Sequence, residues 1–226
     1  MLLEPDAENE VAYELCQLLG RAILPIGPAD AAGTAFFLEG EAGEYLLTAD
    51  VLTMAEVGEI GLRASVTEPA GVAADAVVLA DFPARWAHHP DVGAAAMPTA
   101  GLHTYADEHG WRWRTQPVPE AVAVRADEVA GLGAEPVSAF VLAVGVGEDG
   151  SRPLEVAVGR AVRTDDGGLR LTDALPAGYV GAPVFGVRAD EAGQVGLRCL
   201  GLVLPGEGGH PLATLDRIVA EPPPAR

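Results

Sequence analysis

From residue 23 onward, short apolar runs alternate with clusters of glycine, proline and aspartate roughly every ten residues. That rhythm constrains the fold most. A run this short cannot make a buried helix of three turns, but it fills one strand, and turn residues at each end reverse the chain. The pattern predicts strands at 35–38, 44–48, 58–65, 76–79, 121–124, 139–144, 154–162, 169–171, 183–187 and 196–204. Residues 34–47 read as a hairpin around Glu41-Ala42-Gly43. Helical spacing shows at three places only. Val11, Leu15, Leu18 and Leu19 predict an amphipathic helix over 6–22, a short helix fits 99–110, and a terminal helix fits 211–220 before Pro222-Pro223-Pro224 and a tail at 221–226. The fold class expected is all-β.

Charge and small motifs exclude several functions. The net charge is −19 and all 14 basic residues are arginine. Such a surface repels phosphate backbones, so nucleic acid is not an expected partner. No apolar run approaches the roughly 20 residues that span a bilayer, so no membrane is expected either. The acidic first ten residues lack a basic segment followed by an apolar one, which predicts a cytoplasmic location and reduced thiols at Cys16 and Cys199. His88-His89-x-Asp91 has no third and fourth ligand in view, so no metal is expected. The glycine-rich stretches at 145–147 and 206–209 lack the Lys-Ser/Thr of a phosphate loop and read as turns, so no cofactor is expected. Trp111 and Trp113 share a face if they lie on a strand, where they would line the edge of a barrel.

Four stretches carry a resemblance. Gly33-Thr34-Ala35-Phe36-Phe37-Leu38, followed by Tyr45-Leu46-Leu47-Thr48-Ala49-Asp50-Val51, resembles the strand pair that presents the catalytic histidine in trypsin-like serine peptidases of the chymotrypsin superfamily (PA clan). His89-Pro90-Asp91-Val92-Gly93-Ala94-Ala95-Ala96-Met97-Pro98 is similar to the stretch that carries the aspartate in bacterial members. Ala139 to Gly145 looks like a strand ahead of the nucleophile loop. Leu171-Thr172-Asp173-Ala174-Leu175-Pro176-Ala177-Gly178-Tyr179-Val180-Gly181-Ala182-Pro183-Val184-Phe185 resembles that loop, and Leu200-Gly201-Leu202-Val203 the strand beside the substrate channel. The resemblance implies one unit over 1–226, a trypsin-like double antiparallel β-barrel. Its first barrel would span 23–103, a connection 104–110 and its second barrel 111–213, with a helix at each end.

The departures from that pattern shape the functional expectation. The histidine, aspartate and serine positions fall on Val51, Gly93 and Val180. Acyl transfer of this kind needs a nucleophilic oxygen, a base and a carboxylate to orient the base, and these side chains supply none of them. Gly178 and Gly181 remain and Tyr179 stands between them, so the oxyanion loop would survive as a tight turn. The sequence therefore predicts a pseudoprotease and no enzyme: a protein-interaction or regulatory subunit for a basic or peptide-like protein partner. The bacterial proteins it resembles include members of signalling or defence systems, so the resemblance implies a subunit of such an assembly. A hydrolase working through unaligned residues and a purely structural subunit are the alternatives. The only serines, Ser65, Ser138 and Ser151, lie in no nucleophile motif. If the former site has become core, Val51 and Val180 should touch while Gly93 makes room for a neighbour.

Overall fold

The computed structural model describes residues 5–28, 32–71, 76–133, 139–147, 154–189 and 195–220. The chain opens with α1 (Pro5–Leu19), then runs through β1 (Ile23–Gly27), β2 (Gly33–Gly40), β3 (Gly43–Ala49), β4 (Val57–Gly61), β5 (Thr67–Glu68), β6 (Ala76–Ala80), β7 (Ala87–His89) and β8 (Ala94–Pro98). A connection follows through α2 (Ala100–Glu108), β9 (Arg112–Trp113), β10 (Val118–Pro119) and α3 (Ala126–Ala130). The rest comprises β11 (Ala139–Val146), β12 (Leu154–Arg163), β13 (Leu169–Leu171), β14 (Pro183–Ala189), β15 (Val195–Val203), β16 (His210–Thr214) and α4 (Leu215–Ala220).

The second half closes into a six-stranded barrel in the order β11-β12-β13-β16-β15-β14. The first half does not close. Its strands run β6-β4-β1-β2-β3-β8-β7, with β10 added in parallel to β2, so β6 and β7 stand at the two ends of the sheet. The hairpin predicted over 34–47 is present, with Gly40 opposite Gly43 at its turn. Gly43 has φ +130°, which is why this tight reversal takes glycine.

Alternation along β11 explains how the halves join. Val141 and Ala143 face the second barrel's own core with Leu171, Val184 and Leu200. Leu142 and Val144 face the other way, into a larger core shared with Phe36, Leu46 and Ile60 of the first barrel. Phe185 and Leu202 of the second barrel enter the same core, as do Leu15 of α1 and Leu215 and Ile218 of α4.

Several sequence expectations need correction. Residues 120–122 form a 3-10 turn, not a strand, and only Ala123 bridges to Cys199. The expected helix over 211–220 begins as β16, because Pro211 and Leu212 pair with Arg170 and Leu169 and close the barrel. β1, which the turn-rich flanks hid, is an additional strand. Leu18, expected on the packed face of α1, is exposed. Trp111 and Trp113 line no barrel edge: both are buried, and Trp113 Nε1 donates to the Leu102 carbonyl at 2.9 Å, fastening α2 to the body. The tail call at 221–226 lies outside the described residues.

Candidate functional site

Thr34 joins the two halves. It is the second residue of β2 and is fully buried. Its N–H donates to the Val180 carbonyl at 2.8 Å. Its hydroxyl donates to the Gly178 carbonyl at 2.7 Å and accepts the Val146 N–H at 3.1 Å. Its own carbonyl accepts the Thr48 hydroxyl at 2.7 Å. One threonine thus ties the loop at 178–181 and the end of β11 to the first barrel, with every polar atom satisfied.

Around that junction the structure places the three sequence-predicted positions. Val51 sits in a 3-10 turn, Asp50–Thr53, and is 57% exposed. It joins no core patch with Val180, contrary to expectation, because the turn aims the next residue inward. Leu52 is buried over Gly33, where an added Cβ would overlap its side chain and stand 3.0 Å from the Val180 carbonyl. Val180 itself is half-buried against the shared core. Gly93 has φ +74°, and a Cβ there would stand 3.2 Å from Leu204 Cδ1, so Leu204 is the neighbour that takes up the room. The Gly93 carbonyl accepts the Asp50 N–H at 2.9 Å. The apolar contacts expected of Val51 and Val180 are made instead by Leu52, over Gly33, and by Leu204, beside Gly93.

The loop between them forms a tight 3-10 turn over Ala177–Tyr179. The Val180 N–H donates to the Ala177 carbonyl at 3.1 Å, so it is turned back into the loop. Gly178 is wedged against the Val146 and Gly147 carbonyls, where no side chain would fit. Tyr179 is buried with its ring over Gly145, and burial pushes its hydroxyl well above the usual phenol range, so it stays protonated and unreactive near neutrality.

Sequence reading missed one polar pair. His88, weighed only as a metal ligand, directs Nδ1 at Asp50 Oδ1 at 2.5 Å and Nε2 at the Pro83 carbonyl at 2.9 Å. Both partners are acceptors, so the ring is held with both nitrogens protonated. Burial alone would lower the His88 pKa; the Asp50 carboxylate and the Pro83 carbonyl outweigh it and raise the value above 6.5. A pKa higher in the folded state stabilises the fold below the unfolded value and is given up as pH rises through the folded one. The melting temperature should therefore fall as pH is raised above about 6.5, and His88→Asn should flatten that fall. Equal slopes in the two proteins, measured by thermal unfolding across pH, would refute the assignment.

The remaining candidates have ordinary surroundings. The Ser65 hydroxyl is exposed and donates to the Gly20 carbonyl at 3.3 Å, while Ser138 and Ser151 lie outside the described residues. Cys16 and Cys199 are free thiols, and burial pushes Cys199 up to about 12, where it has no nucleophilic character near neutrality. His89 is buried and His103 donates to Glu44 Oε1 at 3.0 Å. Among the described residues no three His, Cys, Asp or Glu side chains group as metal ligands, and no helix is long and apolar enough to cross a membrane.

No protein-family model matches the sequence, and no curated protein matches it. Solved structures do. Deg5 is similar at 13% identity over 97% of this chain and 95% of its own, with a TM-score of 0.55. The inactive form of the Rv3671c protease, an M. tuberculosis protein, shares 15% identity over 94% of this chain and 91% of its own, with a TM-score of 0.51. The HtrA-type protease AlgW with a tripeptide shares 16% identity over 89% of this chain and 59% of its own, with a TM-score of 0.51. At such identities the likeness shows the fold: this is a trypsin-like double β-barrel. It also corrects one expectation. The reading that the chain is no enzyme does not stand, because the solved structures that share its fold include proteases.

Proposed function

We propose that this trypsin-like double barrel is a protein-interaction subunit whose contact ridge lies beside the former histidine position. The observation that carries the reading is a run of large apolar side chains left in solvent. Val51, Met54 and Val57 are 57%, 56% and 50% exposed within one short stretch of the first barrel. Scattered exposed apolar residues mean little, but a cluster on a chain with a net charge of −19 is costly to solubility and is a mark of a contact surface. The charge favours a basic or peptide-like partner. The protein isolated from its source cells should carry a stoichiometric partner by native mass, and the Val51→Lys, Met54→Lys double variant should lose it. A monomer in both cases would end the proposal.

A hydrolase reading has its own support in the proteases that share the fold and in the Asp50–His88 pair close to the junction. For His88 to act as a base, its Nε2 would first have to leave the Pro83 carbonyl. Stoichiometric labelling by a fluorophosphonate, lost in His88→Asn, would favour this reading over the first.

A further inference from the structure

The first barrel's failure to close leaves a groove between its two ends. β7 pairs with β8 only from Ala94 to Ala96, and before Ala87 the chain turns away through the 3-10 turn Phe82–Arg85. Met97 and Pro98 of β8 therefore face Val78 and Leu79 of β6 across a groove of about 730 Å³, with Leu102 and Tyr105 of α2 as its wall. β6 pairs with β4 on one side, and among the described residues no strand pairs its other side.

The backbone of β6 is oriented for a further strand. The Ala80 carbonyl accepts Arg85 Nε at 3.0 Å from the groove side, so it points away from β4. Strand alternation then points the N–H and C=O of Val78 the same way. Val78 is also 58% exposed and lies diagonal to Val57 on the outer face of the β4–β6 ladder, which continues the apolar ridge. Acid surrounds the edge: Glu59 opposes Val78 in the ladder, Asp81 follows β6, and Glu108 lines the groove. Against these, the cation lining the groove is Arg85, whose Nε is already bonded to Ala80. An exposed edge of this kind normally carries a lysine, a proline or a cover.

We infer that the open edge of β6 receives an extended segment of a partner protein, apolar on alternate residues and basic between them, as an added strand of the first barrel. The valine-sized side chains would enter the groove while arginine or lysine side chains meet Glu59, Asp81 and Glu108. This rests on the interaction role proposed above and names the partner's chemistry.

The probe is a short synthetic peptide alternating arginine and valine, with a glutamate–valine peptide as control. The basic peptide should bind, should slow amide exchange across Ala76–Ala80, and should weaken as salt rises. Val78→Pro removes an outward N–H without touching the β4 pairing, and should weaken binding about tenfold or more. Val78→Lys, an exposed substitution that leaves the backbone intact, should weaken it likewise by charge. Absence of binding by the basic peptide, or undiminished binding by both variants, would overturn the inference. Loss of the natural partner in the Val51→Lys, Met54→Lys protein but not in either Val78 variant would overturn the edge while leaving the interaction role standing.

Discussion

Gly181→Ala should unfold at a much lower denaturant concentration than the parent protein. Gly181 has φ +84°, a region that costs any residue with a Cβ. There is also no space. An added Cβ would overlap the Thr34 carbonyl oxygen, stand 2.5 Å from Thr48 Oγ1 and lie 3.2 Å from the Ala49 N–H. The Thr34 oxygen and the Ala49 nitrogen are backbone atoms of paired strands, so they cannot swing aside. The Gly181 N–H is also fixed, donating to the Val203 carbonyl at 2.8 Å. Strain and displaced hydrogen bonds together should cost on the order of 4–5 kcal/mol. A domain has about 5–15 kcal/mol in all, so denaturant midpoints should collapse. A loss below about 1 kcal/mol would show that the loop and β2 can separate freely.

Thr34→Val should cost about 2–5 kcal/mol, since each of two buried groups loses its partner. The Gly178 carbonyl would lose its donor and the Val146 N–H its acceptor, both in a site that water does not reach. For a chain of this length each kcal/mol moves the melting temperature by roughly 2–4 °C, so calorimetry resolves the effect easily. Thr34→Ser keeps the hydroxyl and should lose only about 1 kcal/mol for the missing methyl group. If valine and serine cost the same, the hydroxyl is not what joins the barrels.

Much of the architecture was legible because strand sequences here are short and clearly bounded. The hairpin at 34–47 and the strands around 139–144, 154–162 and 169–171 follow from alternation and turn residues alone. The 211–220 stretch misled because Leu212, Leu215, Ile218 and Val219 keep helical spacing, while the pairing of Pro211 with Arg170 is a tertiary fact. Val51, Gly93 and Val180 were singled out by resemblance, yet their surroundings were not legible. Val51 and Leu52 are adjacent apolar residues, and only the direction of a 3-10 turn decides which of them is buried. Leu204 over Gly93 joins residues far apart in sequence. His88 and Asp50 meet across 38 positions, and no local pattern announces such a pair.

The core shared across the barrels has a consequence for how the chain can be divided. A fragment ending at Pro119 would keep the strands of the first barrel, β10 included, but lose Leu142, Val144, Phe185 and Leu202, which cover its inner wall. At about 1.5–3 kcal/mol for each such side chain, the forfeited burial is about 6–12 kcal/mol, comparable to the whole stability of a domain. The two barrels are therefore not interchangeable modules. Evolution can alter loops and edges on either one, but the pair must be inherited, synthesised and unfolded together.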